Sequence, residues 1–230
     1  MWMLLSLIVS SSGADAPATL QSALSFERAG DDERALSALD ALLREAPASV
    51  LARLEAGRIR LKLARELDQA ELDLDAARAL APENPRAQYL WGMLQEERGR
   101  AEQALAAYRN AVSFRPTFED ARFRLAGLHF ARGEWTAAEE HYRALSGLRP
   151  DWTQVRLQLV SALEQQGRWA DAEAELVRIR REQPGSKLVV RRLAELYERT
   201  NRPEEARRLR TELEGDSGQR QMRPLRKSRK

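Results

Sequence analysis

Apolar residues recur along this chain at steps of three and four, the spacing of one face of a helix. The clearest stretch is 86–98, where Tyr89, Leu90, Trp91, Met93 and Leu94 are apolar and Gly99 follows. A second stretch, 101–114, carries Leu105, Tyr108, Ala111 and Val112 on one side and ends before Pro116. Glycine closes a helix because it reaches left-handed backbone. Proline stops one because it has no N–H and clashes with the preceding turn. The pattern predicts two helices joined by a tight turn. Gly92 and Ala104 are small, so the two backbones can approach, with Trp91 and Tyr108 filling the space around the contact.

The unit repeats. Pro82, Pro116, Pro150 and Pro184 are 34 residues apart, as are Gly99, Gly133 and Gly167, and as are Ala70, Ala104, Ala138, Ala172 and Ala206. Upstream, Ala35, Leu39 and Pro47 mark a first unit whose spacing to the second is 35. Trp91-Gly92, Ala104-x3-Tyr108 and Pro116 in the third unit, and Leu125-Ala126, Ala138-x3-Tyr142 and Pro150 in the fourth, resemble the tetratricopeptide repeat (TPR) signature. Leu159-Val160, Ala172-x3-Leu176 and Pro184 continue it, and Leu193-Ala194 with Tyr197 and Ala206 mark a sixth unit. The second unit departs from the signature when read from residue 51, with Gly57-Arg58 at the Leu-Gly places.

The resemblance covers residues 17–215 and implies an all-α, right-handed superhelical solenoid of about six TPR helix hairpins. The repeats fall at about 16–49, 51–84, 85–118, 119–152, 153–186 and 187–215. A single hairpin cannot bury its apolar surface, so neighbours must stack.

In this family the first helices line a concave groove. Carried onto this chain, its groove places are Tyr89, Met93 and Glu96 in the third unit, Phe123, Gly127 and Phe130 in the fourth, and Leu157 and Glu164 in the fifth. Tyr89, Phe123 and Leu157, joined by Met93 and Phe130, then form an apolar ribbon with a gap at Gly127, flanked by Glu96, Glu97 and Glu164. Two readings stand. The ribbon binds an apolar or amphipathic peptide, with basic residues for the carboxylates, or its aromatics pack against neighbouring helices. The Lys and Asn of the carboxylate clamp in chaperone-tail-binding members are absent from the matching places.

Little else in the chain points to chemistry. There is no cysteine, hence no disulfide, thiolate metal site or cysteine-linked lipid. His129 and His141 are twelve apart, off the spacing of a helical metal pair, and read as a packing residue and a solvent-facing one. Trp135 and Trp169, 34 apart, read as core. No phosphate loop, dinucleotide fingerprint or nucleophile elbow is present. The expectation is a non-catalytic scaffold with no metal, no cofactor and no small-molecule substrate, whose partners are proteins or peptides.

Charge sharpens this. Lys and Arg number 38 against 35 acids, but residues 217–230 hold six basic side chains and no acid: Arg220, Arg223, Arg226, Lys227, Arg229 and Lys230. The other 216 residues therefore carry 32 basic and 35 acidic groups, a slightly acidic body with a short basic tail. The tail, 216–230, reads as disordered; it either meets an anionic surface such as lipid headgroups or nucleic acid, or is a solvated end. At the other end, the apolar run Trp2–Val9 followed by Ser12-Gly13-Ala14 resembles a secretory signal over 1–14, with Asp15 as first mature residue; an apolar cap on the first unit is the other reading. Export places the protein in the periplasm or outside the cell, and an intact Met1 places it in the cytoplasm.

Overall fold

The computed structural model describes residues 19–221, with side chains to 214. Among the described residues there are twelve α-helices and no strand. They divide into two compact units, one ending at Arg115 and one beginning at Pro116. The first holds the hairpins α1(Leu20–Arg28)–α2(Asp32–Glu45), α3(Val50–Lys62)–α4(Leu67–Leu80) and α5(Pro85–Glu97)–α6(Ala101–Phe114). The second holds α7(Glu119–Ala131)–α8(Trp135–Leu148), α9(Thr153–Gln165)–α10(Trp169–Glu182) and α11(Lys187–Arg199)–α12(Pro203–Gln221). The predicted hairpins are all present. The backbone of α12 runs on through 216–221, the start of the predicted tail, since extending an existing helix needs no new nucleus. Residues 1–18, including the signal-like segment, and 222–230, including five of the six tail cations, lie outside the described residues.

Each hairpin is closed by a residue in left-handed backbone. Gly30, Gly99, Gly133 and Gly167 take φ of 69 to 81° there, and Asn201 takes 58°. The second hairpin differs. Its turn, Leu63-Ala64-Arg65-Glu66, is one residue longer, and both Ala64 and Glu66 sit at φ 50°. That extra residue accounts for the spacing of 35, and it lies after α3, not before it. Gly57 therefore stands at the small place, equivalent to Gly92, rather than one step before it. The contacts agree. A Cβ on Gly57 would lie 2.6 Å from the Leu74 side chain, and one on Gly92 would lie 2.5 Å from the Tyr108 ring. With α3 in this phase, the fifth, ninth and twelfth places of the second hairpin are Leu54, Arg58 and Leu61.

Stacking builds the core of each unit. Leu54, Leu74, Leu90 and Leu94 meet in the first, and Leu145, Val160, Leu163, Leu176 and Leu193 meet in the second. A polar device recurs with the prolines. The fourth residue of a first helix reaches back to the carbonyl of the proline six residues earlier. Arg53 Nε donates to Pro47 O at 2.8 Å, Gln88 Nε2 to Pro82 O at 3.0 Å, Arg122 Nη2 to Pro116 O at 2.5 Å and Arg156 Nη1 to Pro150 O at 3.4 Å. Each bond ties the loop that enters a hairpin to that hairpin's first helix. Val190 stands at the same place after Pro184 and has no donor.

A residue on the second helix completes the device where charge allows. Arg53 pairs with Asp73 at 3.0 Å and Arg156 with Glu175 at 2.5 Å. In the first unit Asp73 also meets Arg60 at 2.7 Å, and Arg60 Nη2 donates to both oxygens of Asp40. These groups line a cleft of about 640 Å³ whose charges are already matched within the fold.

Candidate functional site

The candidate groove residues fall on both units, and each unit's share is treated by itself. In the first, Tyr89 and Met93 are half-buried against the core, with the Tyr89 ring 5.8 Å from that of Tyr108. Tyr108 is fully buried, pressed against Gly92, and its hydroxyl donates to the Glu96 carboxylate. Glu96 is thus engaged from within its own hairpin. Its neighbour Glu97 is exposed.

In the second unit, Phe123 and Phe130 are half-buried at the edge of the core, and Leu157 is buried in it. Phe123 stacks on Trp152 at 5.3 Å and meets Tyr142 edge-on at 6.1 Å; Phe130 meets Trp135 edge-on at 4.9 Å. Trp135 and Trp169, expected in the core, are half-buried surface lids, Trp135 under Phe130 and Trp169 under the Arg199 guanidinium at 4.6 Å. They stand at the first position of their second helices. Glu164 is 7% exposed and takes Arg192 at 3.1 Å and Arg199 at 3.3 Å, so its charge is matched.

The twelfth place is acidic and engaged in four of the six hairpins. Glu27 pairs with Arg58 at 2.6 Å, Glu96 accepts from Tyr108, Glu164 takes two arginines, and Glu198 pairs with Arg210 at 2.5 Å. Two hairpins depart from this, the second with Leu61 and the fourth with Phe130. Phe130 stands where the acid would be, and Tyr142 stands where Tyr108 does. Tyr142 is 2% exposed, and its hydroxyl makes no hydrogen bond among the described residues. The gap expected at Gly127 lies beside it: a Cβ there would be 4.0 Å from the Tyr142 oxygen, with nothing else within 4 Å. Burial pushes the Tyr142 pKa up to about 12.

Of the histidines, His129 is buried as a packing residue should be, and His141 differs from its solvent-facing expectation. His141 is half-buried and stacks on the buried His129 at 5.6 Å. His129 Nδ1 pairs with the Glu134 carboxylate, whose pKa that bond holds low, with help from Arg132. His141 stands where Asp73 and Glu175 stand in other hairpins, 3.5 Å from Arg122. Desolvation lowers the Arg122 pKa. Read at the repeat period, the series Asp73, Ala107, His141, Glu175 against Arg53, Gln88, Arg122, Arg156 carries this pairing in the sequence. Among the described residues, no group of three His, Asp or Glu side chains could hold a metal ion, and no helix is long and apolar enough to cross a membrane.

Two tetratricopeptide repeat family models match the chain, one over residues 96–163, 132–191 and 163–214, the other over 20–85 and 61–119. The chain belongs to the tetratricopeptide repeat family. No curated protein matches it in sequence. Among solved structures it is similar to the C-terminal part of a TPR repeat-containing protein from Cytophaga hutchinsonii, with a TM-score of 0.70 at 15% identity over 83% of this chain and 76% of that one. It is also similar to Pseudomonas aeruginosa PilF, with a TM-score of 0.67 at 17% identity over 84% and 88%. A third is YrrB, described as a TPR protein with an unusual peptide-binding site, with a TM-score of 0.61 at 19% identity over 74% and 88%. At these identities the likeness is one of fold.

Proposed function

We propose that this protein is a non-catalytic interaction scaffold whose first-helix face in the second unit binds a peptide or helix of a protein partner. The carrying observation is the fourth hairpin. Phe123 and Phe130 lie one helical turn to either side of Gly127, both with surface left uncovered by the core, and the position between them has no side chain. An apolar side chain entering there would be covered on two sides, and burying such a side chain contributes about 1.5–3 kcal/mol. The fold's family supports the reading, and a peptide-binding site is described for YrrB. Basic residues in the partner have less to meet than the sequence implied, because Glu96 and Glu164 are engaged within the chain. The signal-like segment at 1–14 supports export to a bacterial envelope compartment; sequencing of the mature chain checks this, with Asp15 expected first and Met1 overturning it.

The test is site-specific photo-crosslinking in the source cell. Benzoylphenylalanine replaces Phe123 or Phe130 and, as a control, the exposed Val177 on α10. The same partner should crosslink from 123 and from 130, and not from 177. Equal capture from 177, or none from the two first-helix positions, would overturn the reading.

A further inference from the structure

We infer that the notch at Gly127 is a subsite for one residue of a peptide, taking its apolar side chain between Phe123 and Phe130 and its backbone carbonyl on the Tyr142 hydroxyl. The inference rests on the groove reading and names what the groove recognises. Its basis is a polar group that the fold leaves unanswered. The Tyr142 ring is buried, but its hydroxyl oxygen is not: it has no protein partner among the described residues and stays open to water. Tyr108 gives its hydroxyl to Glu96 within its own hairpin. Tyr142, at the equivalent position and as deeply buried, faces Phe130 in place of the acid.

The hydroxyl is not walled in. The ninth place is Leu24, Arg58, Met93, Ser161 or Glu195 in the other hairpins, so Gly127 alone leaves the space over the second-helix residue unfilled by a side chain. The Tyr142 oxygen stands 4.0 Å from where a Cβ would begin, which places it at the floor of the notch. A tyrosine hydroxyl in this setting donates. The ligand must therefore bring an acceptor, and a neutral one. Desolvation is what raises the Tyr142 pKa, and no cation pairs with it among the described residues. A carboxylate brought to the same place would lose water without gaining a counter-charge. A peptide carbonyl adjoining an apolar side chain matches both the donor and the two rings.

The probe is N-acetyl-L-leucine N-methylamide, titrated into the full chain carrying tyrosine labelled with 13C at Cζ and phenylalanine labelled with 13C in the ring, so that Phe123 and Phe130 on α7 report binding to every variant. The expected result is a saturable shift of the Tyr142 resonance with no shift of Tyr108. Tyr142→Phe should weaken the probe about five-fold, the worth of one neutral hydrogen bond. Gly127→Leu, which fills the notch with a good helix former, should abolish binding while leaving the helical content unchanged. N-acetylleucine with a free carboxylate should bind more weakly than the amide. Binding that is unaltered in both variants overturns the subsite. If that binding still shifts Phe123 and Phe130, the groove reading survives without it; if no resonance on α7 moves at all, both readings fail.

Discussion

In the third hairpin Tyr108 is buried against Gly92 and gives its hydroxyl to Glu96; in the fourth, Tyr142 is buried as deeply, with Phe130 at the acid's place and open space over Gly127. The two hairpins share a backbone plan and a tyrosine. They differ in where the glycine stands, at the eighth place of the first helix in one and the ninth in the other. At the eighth place the missing side chain is used up by the hairpin's own packing. At the ninth it is left for something else. In a repeat fold, departures from internal satisfaction are therefore better guides to function than residues that are conspicuous by type.

The comparison can be broken most forcefully at the glycines. Gly92→Ala puts a methyl 2.5 Å from the Tyr108 ring and should lower the stability of the full chain by about 3 kcal/mol in chemical unfolding, the upper range for an overpacked core. Gly127→Ala meets only the Tyr142 oxygen, at ordinary contact distance, and should not destabilise. Equal losses at the two sites would show that the fourth hairpin is as tightly closed as the third.

Alkaline titration comes next in size. Tyr142 has a folded pKa of about 12 against about 10 in an unfolded chain. Its contribution is complete below pH 10 and is lost as pH rises through 12, up to about 2 kcal/mol. Thermal unfolding across that range should show this fall in the parent and a smaller one in Tyr142→Phe.

Removing the hydroxyls separates the hairpins again. Tyr108→Phe strips Glu96 of a donor and should cost about 1 kcal/mol, whereas Tyr142→Phe removes no bond and should be near neutral or slightly stabilising. The smallest expected effect is a gain. Ala64 holds left-handed backbone that a glycine adopts at less cost, so Ala64→Gly should stabilise the second hairpin by about 0.5–1 kcal/mol, a slight rise in Tm.

Much of this was legible in the chain before any coordinate. Proline, glycine and alanine at one period place the hairpins, because the residues that end helices and let them approach cannot move without breaking the unit. The phase of α3 was not legible. One extra residue in a turn shifts every place before it, and the sequence around Gly57 fits either side of that shift until Leu74 is seen against it. The partners of Glu96, Glu164, Arg122 and His141 were hidden for another reason. Periodicity tells which side chains share a face, and says little about which long polar side chain reaches which. The fourth-place bonds to the proline carbonyls were a middle case: their donors recur visibly at the period, but only the loop geometry shows what they are for. Of the groove residues, Gly127 stood out by being missing in a row of side chains, and the tyrosine beneath it drew no notice because tyrosine at that place suits the family pattern.

The most direct measurement is a crystal structure of the full chain grown with N-acetyl-L-leucine N-methylamide. The account predicts the leucine side chain over Gly127 between Phe123 and Phe130, its carbonyl within hydrogen-bonding distance of the Tyr142 hydroxyl, and Tyr108 still bound to Glu96. A compound seated elsewhere, or a Tyr142 hydroxyl found already bonded to another group of the protein, would contradict it.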